Sequence, residues 1–239
     1  MSRTVAPDTL KALADIDTCS LANAIECFNV RLRNEGFTDA TIRCRTPKLP
    51  PMVGYAMTLR VRSSSPSWKN QNYLDRADWW TQLQTQPVPH VLVIEDVDRH
   101  PGTGAFIGEV HAAILQALGS AGAVTNGAVR DLPAVESLGF RLFSGSVAVS
   151  HAYMHIVEIG GPVTVGHLRI APGDLLHGDQ HGLVQIPAEI ADKIPETVAH
   201  IRERERAIVR YCKSPDFSLE GLKNLAVGNA CPPDSQAGH

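Results

Sequence analysis

Glu109 follows a glycine in the run Gly108-Glu109-Val110-His111, twenty residues pass, and Arg130 and Asp131 then stand side by side after Gly127-Ala128-Val129. Two carboxylates and a permanently charged guanidinium are groups that can hold and polarise a small charged ligand. Between them Ala112 to Leu118 reads as a helix and Ala121 to Thr125 as a short buried strand. The unit is loop, helix, strand, loop, with Arg130 and Asp131 in a Gly-rich loop. A helix start and a strand end can lie close together in such a unit, which brings Glu109 near Asp131. Free N–H groups at the helix start then face the same space.

The flanking chain must supply the scaffold. Asp8 or Thr9 can cap a helix from Leu10 to Ala14, and Thr18-Cys19-Ser20 a second from Leu21 through Phe28. Arg31 to Lys48, closed by Pro47, Pro50 and Pro51, reads as surface connection, a lid or an interface. Val53 to Arg62 is a strand that Gly54 allows to bend. Asn72 to Gln84 is a helix in which at most one of Trp79 and Trp80 is central to the core, since neighbours point about 100° apart. His90 to Glu95 is a buried strand, and Glu95, Asp96 and Asp98 at its end are either site carboxylates or solvated turn charges. Leu132 to Leu138 is a short helix with Pro133 in its first turn. Phe140–Gly145, Pro162–Val165, Leu168–Asp174, Leu175–Asp179 and Gly182–Ile186 form a compact β layer, and Pro187 to Tyr211 is one long charged helix or two. One domain over 1–239 is expected, with 1–9 and about 227–239 as flexible tails.

Composition narrows the function. The net charge is −3 and the Lys and Arg residues are scattered, so no nucleic-acid groove is expected and a small soluble ligand is. Neither a signal peptide nor an apolar run of membrane-spanning length is visible, which places the chain in the cytoplasm with no membrane partner. Cys19, Cys27, Cys44, Cys212 and Cys231 show no C-x-x-C pairing and read as reduced bystanders. The loop from Gly102 to Gly108 suggests a dinucleotide site, but its third glycine comes late and the next strand ends in Asn126-Gly127 rather than an acid. His151 with His155, and His177 with His181, have metal-ligand spacing without a third ligand and read as satisfied or surface histidines. Asp174 and Asp179 sit in turns and read as structural. The helix Ile201 to Val209 reads as a solvated face laced with ion pairs, or as one that reaches a neighbouring subunit.

Taken together, Gly108-Glu109, Gly127 to Asp131, Pro162-Val163, Pro172-Gly173-Asp174, Asp179-Gln180-His181-Gly182 and Pro187 resemble the RraA-like family, which includes 4-hydroxy-4-methyl-2-oxoglutarate aldolases. The resemblance runs from Leu10 to about Leu222 and implies an α/β fold, a single compact domain with a layered β/β/α core of the swivelling-domain type. It also implies a metal-dependent lyase or a non-catalytic regulator that binds a ribonuclease or other protein partner. In the lyases the Asp of the Arg-Asp pair, here Asp131, holds Mg²⁺ or Mn²⁺ partly through water, and the upstream acid, here Glu109, supports the metal's waters. The Arg position, here Arg130, binds the keto acid with the backbone after Gly108, at Val110 and His111. Family members usually carry an apolar residue where His111 stands. A carboxylate from a late helix of the neighbouring subunit is also implied, matching Glu205 with Glu203 as its competitor, and with it a homotrimer or a hexamer. Retention of Asp131 favours the enzyme, and no S-adenosylmethionine site is visible despite the methyltransferase names some members carry.

The chemistry follows from those residues. A 2-keto acid can chelate a hard cation through its carboxylate and keto oxygens, so few protein carboxylates are needed. Cleavage one carbon beyond the keto group leaves an enolate, which the cation and Arg130 stabilise. Retro-aldol cleavage of a 4-hydroxy-2-keto acid needs a base, for which water on the metal organised by Glu109 is the candidate. Decarboxylation of oxaloacetate makes the same pyruvate enolate without one. An enzyme on an unrelated keto or hydroxy acid is the remaining alternative.

Overall fold

The run from His90 to Asp96 lies at the centre of the computed structural model, which describes residues 4–68, 78–227 and 231–232. Val91 and Val93 point into one core cluster, Leu92 and Ile94 into another. A strand covered on both faces needs an unbroken apolar run rather than alternation.

In chain order the elements are α1 Pro7–Ala14, α2 Thr18–Glu26, β1 Arg43–Cys44, β2 Met52–Arg62, α3 Asp78–Gln84, β3 His90–Asp96, β4 Ala105–Ile107, α4 Glu109–Ala117, β5 Ser120–Val129, α5 Leu132–Ser137, β6 Arg141–Val147, β7 His155–Ile159, β8 Val163–Val165, β9 Leu168–Ile170, β10 Leu175–Asp179, β11 Gly182–Ile186, α6 Ile194–Cys212 and α7 Leu219–Ala226. One sheet runs β1-β6-β5-β3-β2-β10-β11, with β4 added along the end of β5 and β7 along the end of β2. Strands β2 to β6 are parallel to their neighbours within that group, whereas β1, β7, β10 and β11 pair antiparallel. The result is a mixed α/β domain whose sheet closes nearly into a barrel.

Three apolar clusters hold it. Helices α3, α4 and α5 bring Trp79, Leu83, Ala112, Leu115 and Val135 onto Leu92, Ile94 and Phe106. Helices α1, α2 and α6 cover β2, β10 and β11, with Leu13, Leu21 and Val198 on Val53, Leu175 and Val184. The small β8–β9 sheet lays Val163, Val165 and Ile170 on Val91, Val124 and Phe143. Trp79 is fully buried, and Trp80 packs at the edge of its cluster, so one tryptophan is central as the helix geometry requires.

Several expectations change. Helix α1 begins at Pro7, and Val5 is buried with its N–H donated to Tyr55 Oη at 2.8 Å, so the chain from Val5 onward is packed rather than a loose tail. Asp17, not Thr18 or Ser20, caps α2, accepting the Ser20 N–H at 2.8 Å. Cys27 and Cys231 form a disulfide across 204 residues, which corrects both the all-reduced reading and the free C-terminal tail. No spacing rule reveals a pairing made by a returning chain end. Residues 72–77 of the helix expected from Asn72, and 1–3, 228–230 and 233–239 of the expected tails, lie outside the described residues. Strands β1, β4 and β7 and helix α7 are additions, and β1 with the buried Ile42 and Thr46 makes part of the stretch read as surface connection a piece of the sheet and core.

Candidate active site

The site is built where two parallel strands end together. Ala105 and Ile107 of β4 pair with Ala128 and Val129 of β5, and the Arg130 N–H donates to Ile107 O at 2.9 Å. After those strand ends the chain enters α4 at Glu109 and α5 at Leu132, so Gly108-Glu109 and Arg130-Asp131 must lie side by side.

Asp131 takes the position before α5 with φ 56° and ψ 35°, a left-handed conformation that Asp tolerates better than most side chains. Its carboxylate does not cap its own helix. It turns to α4 instead, where Oδ2 accepts the Glu109 N–H at 3.2 Å and the Arg130 Nε–H at 3.2 Å. Both donors, the N–H at the start of α4 and the guanidinium, thus converge on one oxygen. Oδ1 makes no hydrogen bond among the described residues. Gly108 leaves room for this approach, because a Cβ there would collide with Asp131 Oδ2 and press on Arg130. The side chains of Arg130 and Asp131 are about one-third exposed, at 34% and 38%, and Glu109 is exposed.

The first turn of α4 splits its residues between ligand side and core. Val110 is 68% exposed, and Ala112 is the first residue whose N–H bonds back, to Gly108 O at 3.0 Å. His111 is 3% exposed, its ring stacked on Phe106 at 5.0 Å and near Trp79 at 6.1 Å. Burial, aided by the nearby His151, lowers its pKa to about 4. The imidazole therefore faces the core, and only the backbone of His111 remains for the ligand side.

The donor set fits a hard cation that keeps much of its water. It offers one carboxylate oxygen of Asp131 without a hydrogen bond and the exposed Glu109, and no group of three His, Cys, Asp or Glu that could hold a metal ion occurs among the described residues. The acids at the end of β3 and just beyond it serve the scaffold. Asp96 accepts the N–H groups of Gly102 at 2.8 Å and Asp98 at 3.1 Å, and burial raises its pKa. Against the opposing effect of burial, hydrogen bonds from Ser64 and Ser63 lower that of Asp98. Glu95 pairs with Arg60 at 3.0 Å. These acids are neither solvated turn charges nor part of the Arg130–Asp131 site. The loop that suggested a dinucleotide site spends the Gly102 N–H on Asp96 and the Gly104 N–H on Ser63 Oγ. Strand β4 occupies Ala105–Ile107 within it, and Gly108 is the residue before α4.

A profile for RraA-like proteins, described as Aldolase/RraA, matches residues 18–185. The chain belongs to the RraA-like family. This family includes aldolases and RNase inhibitors. A protein of Halalkalibacterium halodurans named "Putative 4-hydroxy-4-methyl-2-oxoglutarate aldolase" is 34% identical over 111 residues, 44% of this chain and 53% of that protein. An uncharacterized protein of Methanocaldococcus jannaschii is 28% identical over 134 residues, covering 55% of this chain and 64% of the relative. The matches thus span between about half and two-thirds of these relatives. A solved structure of an uncharacterized Pseudomonas syringae pv. tomato protein shares the fold with TM-score 0.72 at 23% identity, over 93% of this chain and 95% of that one. Streptomyces coelicolor RraAS2, titled an unusual member of the RNase ES inhibitor RraA protein family, does so with TM-score 0.66 at 21% identity, over 88% and 99%.

Other singled-out residues of this RraA-like chain lie elsewhere. Helix α6 packs on α1 and α2, and the exposed Glu205 makes no hydrogen bond or ion pair among the described residues. Glu203 pairs with Arg210 at 3.6 Å, Arg202 reaches Asp17 at 2.7 Å, and Arg204 donates to Ala226 O at 2.7 Å. The helix is tied to its neighbours more than laced along its own face. His177 sits with Nδ1 3.1 Å from Thr18 Oγ1 and Nε2 2.9 Å from Ile16 O, as a neutral ring donating from Nε2 would. Asp179 accepts the N–H groups of Thr18 and His181, and Asp174 that of Ala171. Sequence reasoning missed Asn126, whose side chain bonds both backbone groups of Asp96 and clamps β5 to β3 below the site. The dipeptide Asn-Gly signalled only a turn.

Proposed function

We propose that the chain is a divalent-cation-dependent carbon–carbon lyase that cleaves a 4-hydroxy-2-keto acid to release pyruvate and can decarboxylate oxaloacetate at the same site. One observation carries the reading: Asp131 makes no cap on its own helix and is pinned through Oδ2 to the start of α4 and to Arg130, leaving Oδ1 without a hydrogen bond among the described residues. Asp131 and the waters supported by Glu109 would hold Mg²⁺ or Mn²⁺, and the bound cation would supply Lewis-acid charge to a chelated 2-keto acid.

The residues then divide the work. Arg130 presents its remaining N–H groups to the substrate's oxygens and stabilises the negative charge that grows as the C3–C4 bond breaks. The electron pair of that bond stays with the pyruvate fragment as its enolate. The C4 hydroxyl becomes a carbonyl and loses its proton toward Glu109, directly or through water. The backbone at Val110 and His111 supports the substrate carboxylate at the positive end of α4. Glu205, exposed and without a hydrogen bond or ion pair among the described residues, is available to complete the site of a neighbouring subunit in a homotrimer or a hexamer made from trimers.

Pyruvate release from a panel of 4-hydroxy-2-keto acids and oxaloacetate, with Mg²⁺ or Mn²⁺ and then with EDTA, tests the proposal. Release that stops with EDTA is expected. No release from any of them with either metal would leave the regulator reading in its place.

A further inference from the structure

At the other end of β5 a cavity of about 400 Å³ opens between α1, the start of β2 and the turn before β3. Its walls are apolar, including Leu10, Met52 and Val88, and its remaining lining adds two cations, Lys11 and Arg141, and no acid. Neither cation has an ion-pair partner among the described residues, and Arg141 donates from Nε only to Pro50 O at 3.1 Å. The volume lies within the range of small-molecule sites. Ala121 lines the cavity near the start of β5, and Val129 precedes the Arg130–Asp131 site at its end. Eight residues of strand separate them by about 26 Å, so this is a second location.

We propose that this cavity binds an apolar monocarboxylate, its hydrocarbon body against Leu10, Met52 and Val88 and its carboxylate between Arg141 and Lys11. Charge complementarity decides the class. A neutral apolar ligand would leave two cations at the wall without a counter-ion, and a polyanion would bring charge onto apolar walls. Arg offers a planar fork to a carboxylate, and Lys a mobile point charge that closes over it.

The test compares 4-phenylbutanoate with 4-phenylbutan-1-ol, which keeps the body and removes the charge, by calorimetry on the full chain. The carboxylate is expected to bind at least about tenfold tighter than the alcohol, as charge-assisted hydrogen bonds give, and to lose that advantage in Arg141→Gln. Lys11→Gln, on the exposed side of α1, should narrow the advantage too and serves where Arg141→Gln fails to fold. Asp131→Asn should leave the binding unchanged. Equal affinities, or binding lost in Asp131→Asn, would overturn the assignment. So would an absence of saturable binding, including one caused by a second copy of the chain covering the cavity.

Discussion

Arg130 and Asp131 are adjacent in sequence yet point one charge at the other, and that contact divides the guanidinium's work. Nε is committed to Asp131 Oδ2 at 3.2 Å, so under the proposed function the other N–H groups of the fork would serve the substrate. A lysine has one ammonium and cannot both hold the carboxylate and present a planar pair of donors. Arg130→Lys is therefore expected to lower kcat by about 100-fold or more, the usual cost of losing a preorganised donor at a developing oxyanion. Steady-state kinetics checks it, and a change confined to KM would mean that Arg130 binds only the ground state. Glu109, Arg130 and Asp131 were legible because their types and spacing are visible before any folding. The reason for Gly108 was not, since its space is filled by Asp131, 23 residues later. Nor was the direction of His111. One residue along a helix turns the side chain by about 100°, which sends Val110 to solvent and His111 into the aromatic core.

Helix α4 couples the site to the core through that histidine. The ring is held neutral because burial outweighs other influences, so its folded pKa of about 4 lies below the ordinary 6.5. The folded state then binds fewer protons than the unfolded one between those values. His111 contributes its full stability above about pH 6.5 and loses it as pH falls toward 4, on the order of 3 kcal/mol in total. His111→Phe, which keeps an aromatic ring against Phe106, should flatten the fall in denaturation midpoint over that window. His177, also depressed by burial, leaves a residual slope. An unchanged slope in His111→Phe would show that the ring is not the titrating group. At this scale β2 and β3 were read to within a residue at each end, α6 is one helix that starts at Ile194 rather than Pro187, and the end of β5 was read poorly. Gly127 looked like loop, but it lies within β5 because Asp96 packs where a side chain would go. Strand β4 is three residues of Ala-Phe-Ile after a Gly-rich turn, too short to show alternation, and it is the strand that brings Gly108 to Asp131.

For the molecule as a whole, the nearly closed sheet sets the site at one end of β4 and β5 and leaves α6 outside, on the face covered by α1 and α2. Glu205 on that helix is exposed and makes no hydrogen bond or ion pair among the described residues, as a carboxylate serving a neighbour's site would require. Mixing an inactive Asp131→Asn chain with an inactive Glu205→Gln chain should restore part of the activity, since some interfaces pair two intact residues. Mixed oligomers that form and stay inactive, or full activity of Glu205→Gln alone, would remove Glu205 from the site. The fold class was legible in the ordered set of motifs, whereas the Cys27–Cys231 bond was not, because the tail returns to α2 only in three dimensions. The most direct test of the account is Mn²⁺-dependent pyruvate release by the wild-type chain and by Asp131→Asn, each titrated to saturating Mn²⁺ with the fold monitored by circular dichroism. A neutral amide is a poor ligand for a hard cation in competition with water, so the variant should stay folded and lose turnover at every Mn²⁺ concentration. Wild-type rates from a folded Asp131→Asn chain at saturating Mn²⁺ would contradict the central claim.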